Sequence, residues 1–400
     1  MKLSKKLLRY YTSYGAILGY VSLALALVLL LFIGLDKPGS LSFDELSAIT
    51  SSNTIAKLIA NPINLPYGIL NISANILNFD NLNILRGVSA LFGLAFVSIF
   101  FVLIKHWYDT KTALLSTILV GCSSWFLQYA RIATPEILLA LSMLLLPSLA
   151  LWLYYAKKLN VVAVMAAVIL GVLIYIPGTI LFALAAIIIL RKELASTVKN
   201  LKPMVFISAI FLVLIIVAPL MRAVIIKPSL VLDLIGLPHV FSFIEFAKNL
   251  LFVPSSLFIV SQNNPVYNLG NLPILDIFTT IMLILGSGFL ITHTEIKKGR
   301  MLLGVIAIGS ILTAFNNTVS IIILLPAIYS LVATGIYVIT NKWSEVFPLN
   351  PFAKYIGNAI VVVAVLFVGF YHINRYFFAW RINPVTKQSF TVQNYKNLIQ

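Results

Sequence analysis

Charge is what this chain has least of. Only 10% of its 400 residues are Asp, Glu, Lys or Arg, against 60% hydrophobic. Soluble domains carry roughly 25% charged residues, so this pool cannot cover a water-soluble globule. Acids are the scarcer sign, at twelve. Cysteine is nearly absent: Cys122 stands alone inside an apolar run, which excludes an intrachain disulfide and leaves the redox compartment unread. The four histidines, His106, His239, His293 and His372, are scattered without HxxxH or Cys/His spacing, so sequence marks no metal site. Walker, Rossmann and GxSxG patterns are missing too, which argues against a cytoplasmic nucleotide bound by a standard loop.

What is there is hydrocarbon. Apolar runs near 20 residues recur along the length, the size that crosses a hydrocarbon core of about 30 Å. Membrane barrels would instead show short alternating segments, and in lipid the backbone must satisfy its own hydrogen bonds. The reading is an all-α, polytopic helical bundle. Eleven spans are expected, at about 15–35, 88–104, 112–130, 136–155, 161–176, 178–190, 204–226, 273–292, 301–315, 318–339 and 356–373. Residues 161–190 are either one long helix or a hairpin broken at Pro177-Gly178, and Lys157-Lys158 before with Arg191-Lys192 after favour the hairpin.

The net charge of +16 suggests nucleic acid, but its distribution does not. Most Lys and Arg sit in short clusters between apolar runs, as the positive-inside rule requires. Counting them puts the N-terminus inside and the C-terminus outside a cytoplasmic membrane. The start, from Met1 to Gly34, has the charge pattern of a signal sequence, but its apolar core is long and no small-residue cleavage site follows, so it reads as a retained span.

Two outer loops are long, 36–87 and 227–272, and loops of that length are usually functional. The first is expected to hold a helix over 44–60 with Ser42 as N-cap and Asp44 and Glu45 in its first turn. A second helix over 69–79 places Ile69, Ile72, Ile76 and Phe79 on one face and Asn71, Asn75 and Asn78 on another, suited to the membrane interface. Residues 1–375 form the membrane domain and 376–400 a short external tail.

Elimination narrows the chemistry. Asp109, Glu193, Glu295 and Glu345 map to the inner side, the other eight acids to the outer side. Asp44 or Glu45, at a helix start below a loop able to fold over it, suits a general base acting on a hydroxyl; equally, acids in a first turn stabilise the helix dipole. Glu136 follows Pro135 at the mouth of a span, where an ionisable group is costly and usually functional, or serves as a helix-end acid paired with Arg131. The outer bases Arg86, Arg131, Arg222, Lys227, Lys248 and Arg375 suit a phosphate, which needs charge-assisted donors; each also suits an interfacial anchor. A divalent metal on outer carboxylates is compatible with this set and not required by it.

Ser42-Phe43-Asp44-Glu45 after the first span, Leu85-Arg86-Gly87-Val88-Ser89-Ala90-Leu91-Phe92-Gly93 in the second and Ala130-Arg131-Ile132-Ala133-Thr134-Pro135-Glu136 at the fourth are followed by Leu325-Pro326-Ala327 and Tyr376-Phe377-Phe378-Ala379-Trp380. In this order they resemble the GT-C membrane glycosyltransferases, in the branch of protein O-mannosyltransferases and aminoarabinose transferases. The resemblance implies an enzyme that passes a sugar from a polyprenyl-phosphate carrier to an acceptor protein, lipid or glycan at the outer face. It casts Asp44 as the base, with Glu45 able to exchange roles. Glu136 would be the supporting acid, and Arg131 with an outer base among Arg86, Lys227 and Lys248 would neutralise the leaving phosphate. Relatives often continue into a large soluble outer domain, whereas only a short tail, 376–400, is expected here after the last span, and many have Asp where Glu136 stands. The rival readings are a secondary transporter, which would show internal repeats and mid-span charges, and a non-catalytic lipid-binding membrane protein of the same fold.

Overall fold

The computed structural model describes residues 18–76, 81–261, 264–293 and 297–392. The charged start of the chain before Leu18, Asn78, Phe79, the outer acid Asp80 and the inner acid Glu295 lie outside the described residues. The chain runs as α1 (Leu18–Phe32), α2 (Phe43–Ser51), α3 (Ile55–Ala60), α4 (Leu65–Ile76), α5 (Leu82–Trp107), α6 (Thr110–Cys122), α7 (Ser124–Ala130) and α8 (Ile137–Tyr154). It continues as α9 (Leu159–Leu173), α10 (Thr179–Ile189), α11 (Arg191–Lys199), α12 (Pro203–Ile226), α13 (Leu230–Ile235), α14 (Phe243–Phe258), α15 (Ile277–Thr292) and α16 (Lys297–Ala314). A 3-10 turn over Ile321–Leu324 leads into α17 (Leu325–Val346); α18 (Pro351–Asn374), a π-turn over Arg375–Trp380 and α19 (Pro384–Ser389) complete it. Among the described residues no strand forms beyond a single bridge between Leu41 and Val392.

Helices fall on all eleven apolar segments, and the chain is a multi-pass α-helical membrane protein. Five described helices are long and apolar enough to cross a membrane on their own. Residues 161–190 form the hairpin: α9 and α10 are separate, joined through Gly178 at φ +75°, a left-handed conformation that glycine adopts without a Cβ penalty. The segment 112–130 is not one straight helix. It bends by 63° between α6 and α7, where the Ser124 N–H, freed by the break, donates to His372 Nδ1.

In the first outer loop the expected single helix over 44–60 is two. Ser52-Asn53-Thr54 interrupts it, and Thr54 caps α3 by accepting from the Lys57 N–H. Asn71 does not face water; it is fully buried and its amide donates to Ser52 Oγ at 2.9 Å, tying α4 back onto the end of α2. Ile69 stays exposed, which keeps an apolar face on α4 for the interface. The C-terminal segment is no free tail as far as Val392: Trp380 is wholly buried and donates to the Pro265 carbonyl, and Val392 exchanges backbone bonds with Leu41.

The core runs through α5, α6, α7, α8 and α17. α17 is almost entirely enclosed, while α12 stands at the periphery with few of its residues fully buried. Without a hydrophobic force between helices in lipid, close packing must hold them, and small residues allow it. α15 and α17 show this: a Cβ on Gly286 would lie 2.0 Å from the Leu331 carbonyl oxygen, and one on Gly335 2.0 Å from that of Met282.

Candidate functional site

The sequence Ser42-x-x-Glu45 closes a capping box at the start of α2. Ser42 Oγ accepts from the Glu45 N–H, and the Glu45 carboxylate accepts from the Ser42 N–H. That fold-back turns Glu45 inward, where it meets Arg86 in the second turn of α5. Nε and one terminal nitrogen of Arg86 reach the carboxylate at 2.7 and 3.0 Å, and the Ala133 N–H adds a fourth bond at 2.9 Å. Both side chains are out of contact with solvent. The other three Arg86 N–H groups go to the carbonyls of Leu35, Pro38 and Ser40. All five donors of this guanidinium are therefore taken by the protein, and the pair stitches α2, the end of the first span, α5 and the 131–136 turn together.

Asp44, one residue earlier, points the other way. It is exposed, and its carboxylate bonds to no described residue. Its carboxyl sits above the ordinary value of 3.8 because of partial burial and the neighbouring Glu45 charge. Its charge reaches Glu136, Tyr129 and Tyr267, so the two acids picked from sequence share one electrostatic neighbourhood.

Glu136 precedes α8, whose first backbone bonds run back to the carbonyls of Pro135 and Glu136. The turn that carries it is held to α5 by Ser89 Oγ donating to the Thr134 carbonyl. The Tyr267 hydroxyl donates to Glu136 Oε1 at 3.2 Å, while Oε2 is buried with no partner. Burial, the largest cause, lifts its pKa from 4.5 to about 7. Tyr267 stacks on Tyr129 with ring centroids 4.4 Å apart. The result is a buried carboxyl pushed up toward neutrality, bonded to one ring of an aromatic pair and within the electrostatic reach of Asp44.

Arg131 does not pair with Glu136. Its guanidinium donates to the carbonyls of Leu30 and Ile33 at the end of the first span and lies 4.7 Å from the Phe377 ring and 5.2 Å from that of Tyr376. Its Nε–H is buried and unclaimed. Arg381, which the sequence reading passed over, covers the same two rings and donates to the Gly34 carbonyl. The aromatic run Tyr376-Phe377 thus holds two guanidiniums, each by cation–π contact. Lys227, at the end of α12, and Lys248, on α14, are exposed, and neither ammonium bonds to a described residue, Asp44 and Glu136 included.

A second buried polar group also escaped the sequence reading, because its members are far apart in the chain. His372 Nε2 lies 3.0 Å from Asp276 Oδ2 and its Nδ1 3.1 Å from Ser124 Oγ. The Ser124 N–H needs an acceptor at Nδ1, which places the ring proton on Nε2, toward Asp276. The group ties α15, α18 and the α6–α7 bend together, and α7 carries Tyr129. No three His, Cys, Asp or Glu side chains converge among the described residues.

A family model described as dolichyl-phosphate-mannose-protein mannosyltransferase matches residues 61–222, from α4 through most of α12. Among solved structures, ArnT from Cupriavidus metallidurans in the apo state superposes with a TM-score of 0.53 at 13% identity, over 94% of this chain and 77% of that one. ArnT from the same organism bound to undecaprenyl phosphate gives 0.50 at 12% identity, over 93% and 74%. At such identities the likeness is one of fold. No curated protein matches the sequence.

Proposed function

We propose that this chain, which carries the GT-C membrane fold, moves a sugar from a polyprenyl-phosphate carrier to an acceptor at the outer face of the cytoplasmic membrane. The family model and the fold support a polyprenyl-linked glycosyltransferase. The observation that carries the assignment of the base is the division within Asp44-Glu45. Glu45 accepts four hydrogen bonds and is sealed from solvent, so it is structural. Asp44 is unpaired, exposed and more basic than an ordinary aspartate.

In the reaction an acceptor hydroxyl attacks the anomeric carbon. Asp44 takes the hydroxyl proton, the new glycosidic bond forms, and the bond from that carbon to the carrier phosphate breaks with inversion. Glu136, supported by Tyr267, orients the acceptor, and the Tyr129–Tyr267 stack offers the aromatic face against which a sugar ring packs. The leaving phosphate takes its positive charge from Arg131 and Arg381 on the aromatic pair and from the uncommitted Lys227 and Lys248. Arg86 is left out of the phosphate site because it has no N–H to give.

The test uses protein in lipid nanodiscs, radiolabelled polyprenyl-phosphate sugars and a membrane extract as acceptor. Wild type is expected to release label from the carrier. Asp44→Asn is expected to lose about 100-fold or more, since an amide cannot accept the proton, while unfolding at the same temperature as wild type. Folded wild type that consumes no donor would overturn the transferase reading in favour of a transporter or a lipid-binding protein.

A further inference from the structure

Tyr267, the partner of Glu136, sits in a stretch with no helix or strand of its own. Residues 264–276 run as turns up to the start of α15. A side chain on such a stretch keeps its aim only if groups elsewhere in the fold fasten the backbone around it, since no internal ladder of bonds does so. Ile274 and Leu275 donate to the carbonyls of Ser256 and Leu257, which ties the far end of the stretch to α14. Three further anchors are side chains, and all three come from the end of α18 and the π-turn that follows it.

The Trp380 Nε1–H donates to the Pro265 carbonyl at 2.9 Å, close before Tyr267 in the chain. Arg375 donates to the Pro273 carbonyl at 2.9 Å, and His372 Nε2 meets the Asp276 carboxylate at the start of α15. All three side chains are buried. His372 does more than hold one end. Its Nδ1 takes the Ser124 N–H at the head of α7, and α7 carries Tyr129, which stacks on Tyr267. One imidazole therefore bonds both to the helix behind one ring of the stack and to the stretch behind the other. Ser124 is itself buried, which makes the Ser124–His372–Asp276 group a brace and not an exposed nucleophile. The same π-turn bears Tyr376, which stacks on Trp380 with centroids 5.2 Å apart and faces Arg131 and Arg381. Such turns interrupt regular helices rarely, and frequently at functional sites.

We propose that His372 and Trp380 are positioning residues, which fix the stretch 265–276 so that the Tyr267 hydroxyl meets Glu136 against the Tyr129 ring. His372 joins the two sides of the stack. Trp380 joins the stretch that carries Tyr267 to the ring facing Arg131, so one element sets both the acid and the guanidinium. What Glu136 does to an acceptor rests on the proposed sugar transfer; the placement of Tyr267 does not.

A meta-fluorotyrosine placed at position 267 in the full chain, in nanodiscs, reports the stack directly, because the neighbouring ring shifts its fluorine resonance. Tyr129→Leu defines the unstacked position. His372→Leu is expected to move the resonance most of the way to it. So is Trp380→Phe, which loses the N–H, keeps an aromatic ring and carries the test should His372→Leu not fold. His372→Gln, whose amide accepts from Ser124 and donates to Asp276, is expected to hold the wild-type resonance. In the transfer assay, with donor and membrane extract varied in turn, His372→Leu and Trp380→Phe are expected to lower kcat/KM for the acceptor about ten-fold or more, the scale of a lost hydrogen bond or a misplaced group. Donor KM should stay as in wild type, and His372→Gln should restore the rate. A wild-type resonance in His372→Leu and Trp380→Phe would overturn the proposal, as would unchanged acceptor dependence in both while wild type transfers sugar. Displaced resonances with no donor consumed by wild type would uphold the placement of Tyr267 and sink the transfer reading alone.

Discussion

Asp44 and Glu45 are chemically near-equivalent neighbours with opposite fates, and the cause is helical rotation. Successive residues on a helix do not share a face; the capping box commits Glu45 to the inside and leaves Asp44 outside. Breaking a buried ion pair by removing one partner typically costs about 3–5 kcal/mol, because the other charge is left uncompensated. Glu45→Gln should therefore lower the unfolding temperature in detergent well below that of Asp44→Asn, and Glu45→Gln with Arg86→Met should recover part of the loss. Glu136 gives a pH signature. Its pKa is raised in the folded state, from 4.5 to about 7, so between those values the folded protein holds a proton that the unfolded chain has released. Stability must then fall as pH rises from about 4.5 to about 7 and level off above, by a few kcal/mol at most. Glu136→Gln should flatten that part of an unfolding-temperature profile. Ser42 was legible as the N-cap with both acids in the first turn, and the structure added the reciprocal bond of Glu45. That Glu45 would also collect Arg86 was not, because the two are 41 positions apart and only the docking of α5 joins them.

Among the elements, the α15–α17 contact tolerates the least change. Gly286 and Gly335 each face backbone of the partner helix, and backbone cannot rotate aside as a side chain can. Overpacking costs typically 1–3 kcal/mol, and a contact against a carbonyl belongs at or above about 3 kcal/mol by the same reasoning. Gly335→Ala is expected to cut the yield of folded protein on size-exclusion chromatography, whereas Gly304→Ala, in open space, should leave it unchanged. Most helices were visible from hydropathy, and so were the Pro177-Gly178 break and the Ser42 cap. The bend between α6 and α7 was not. Gly121-Cys122-Ser123-Ser124 holds no proline, and the acceptor that the freed Ser124 N–H meets, His372, comes from the far end of another helix. The split of 44–60 was half legible: Thr54 is a sound cap residue, but Asn71 and Ser52 had to meet before the interruption was fixed.

For the whole molecule, the expected arrangement places Lys227 and Lys248 on the outer face and Lys192 on the inner. In a Cys122→Ser background, Lys227→Cys and Lys248→Cys should react with a membrane-impermeant maleimide in intact cells, and Lys192→Cys only after permeabilisation. Reversed labelling would invert the topology and move Asp44 to the cytoplasm. Composition alone determined that this is a helical membrane bundle: with one residue in ten charged, water cannot be its solvent and lipid leaves the backbone few options. The hydropathy pattern located the spans, and the scarcity of acids brought Asp44, Glu45 and Glu136 forward. Only the tertiary structure decided which of these is free and which is bound. It turned Arg86 from a candidate phosphate ligand into a strut, set Tyr267 beside Glu136 and Arg381 beside Arg131, and closed Ser124, His372 and Asp276 into one group. The physical reason is that hydropathy depends on each residue's own solvation, while a side chain's availability depends on which donors and acceptors the fold delivers to it.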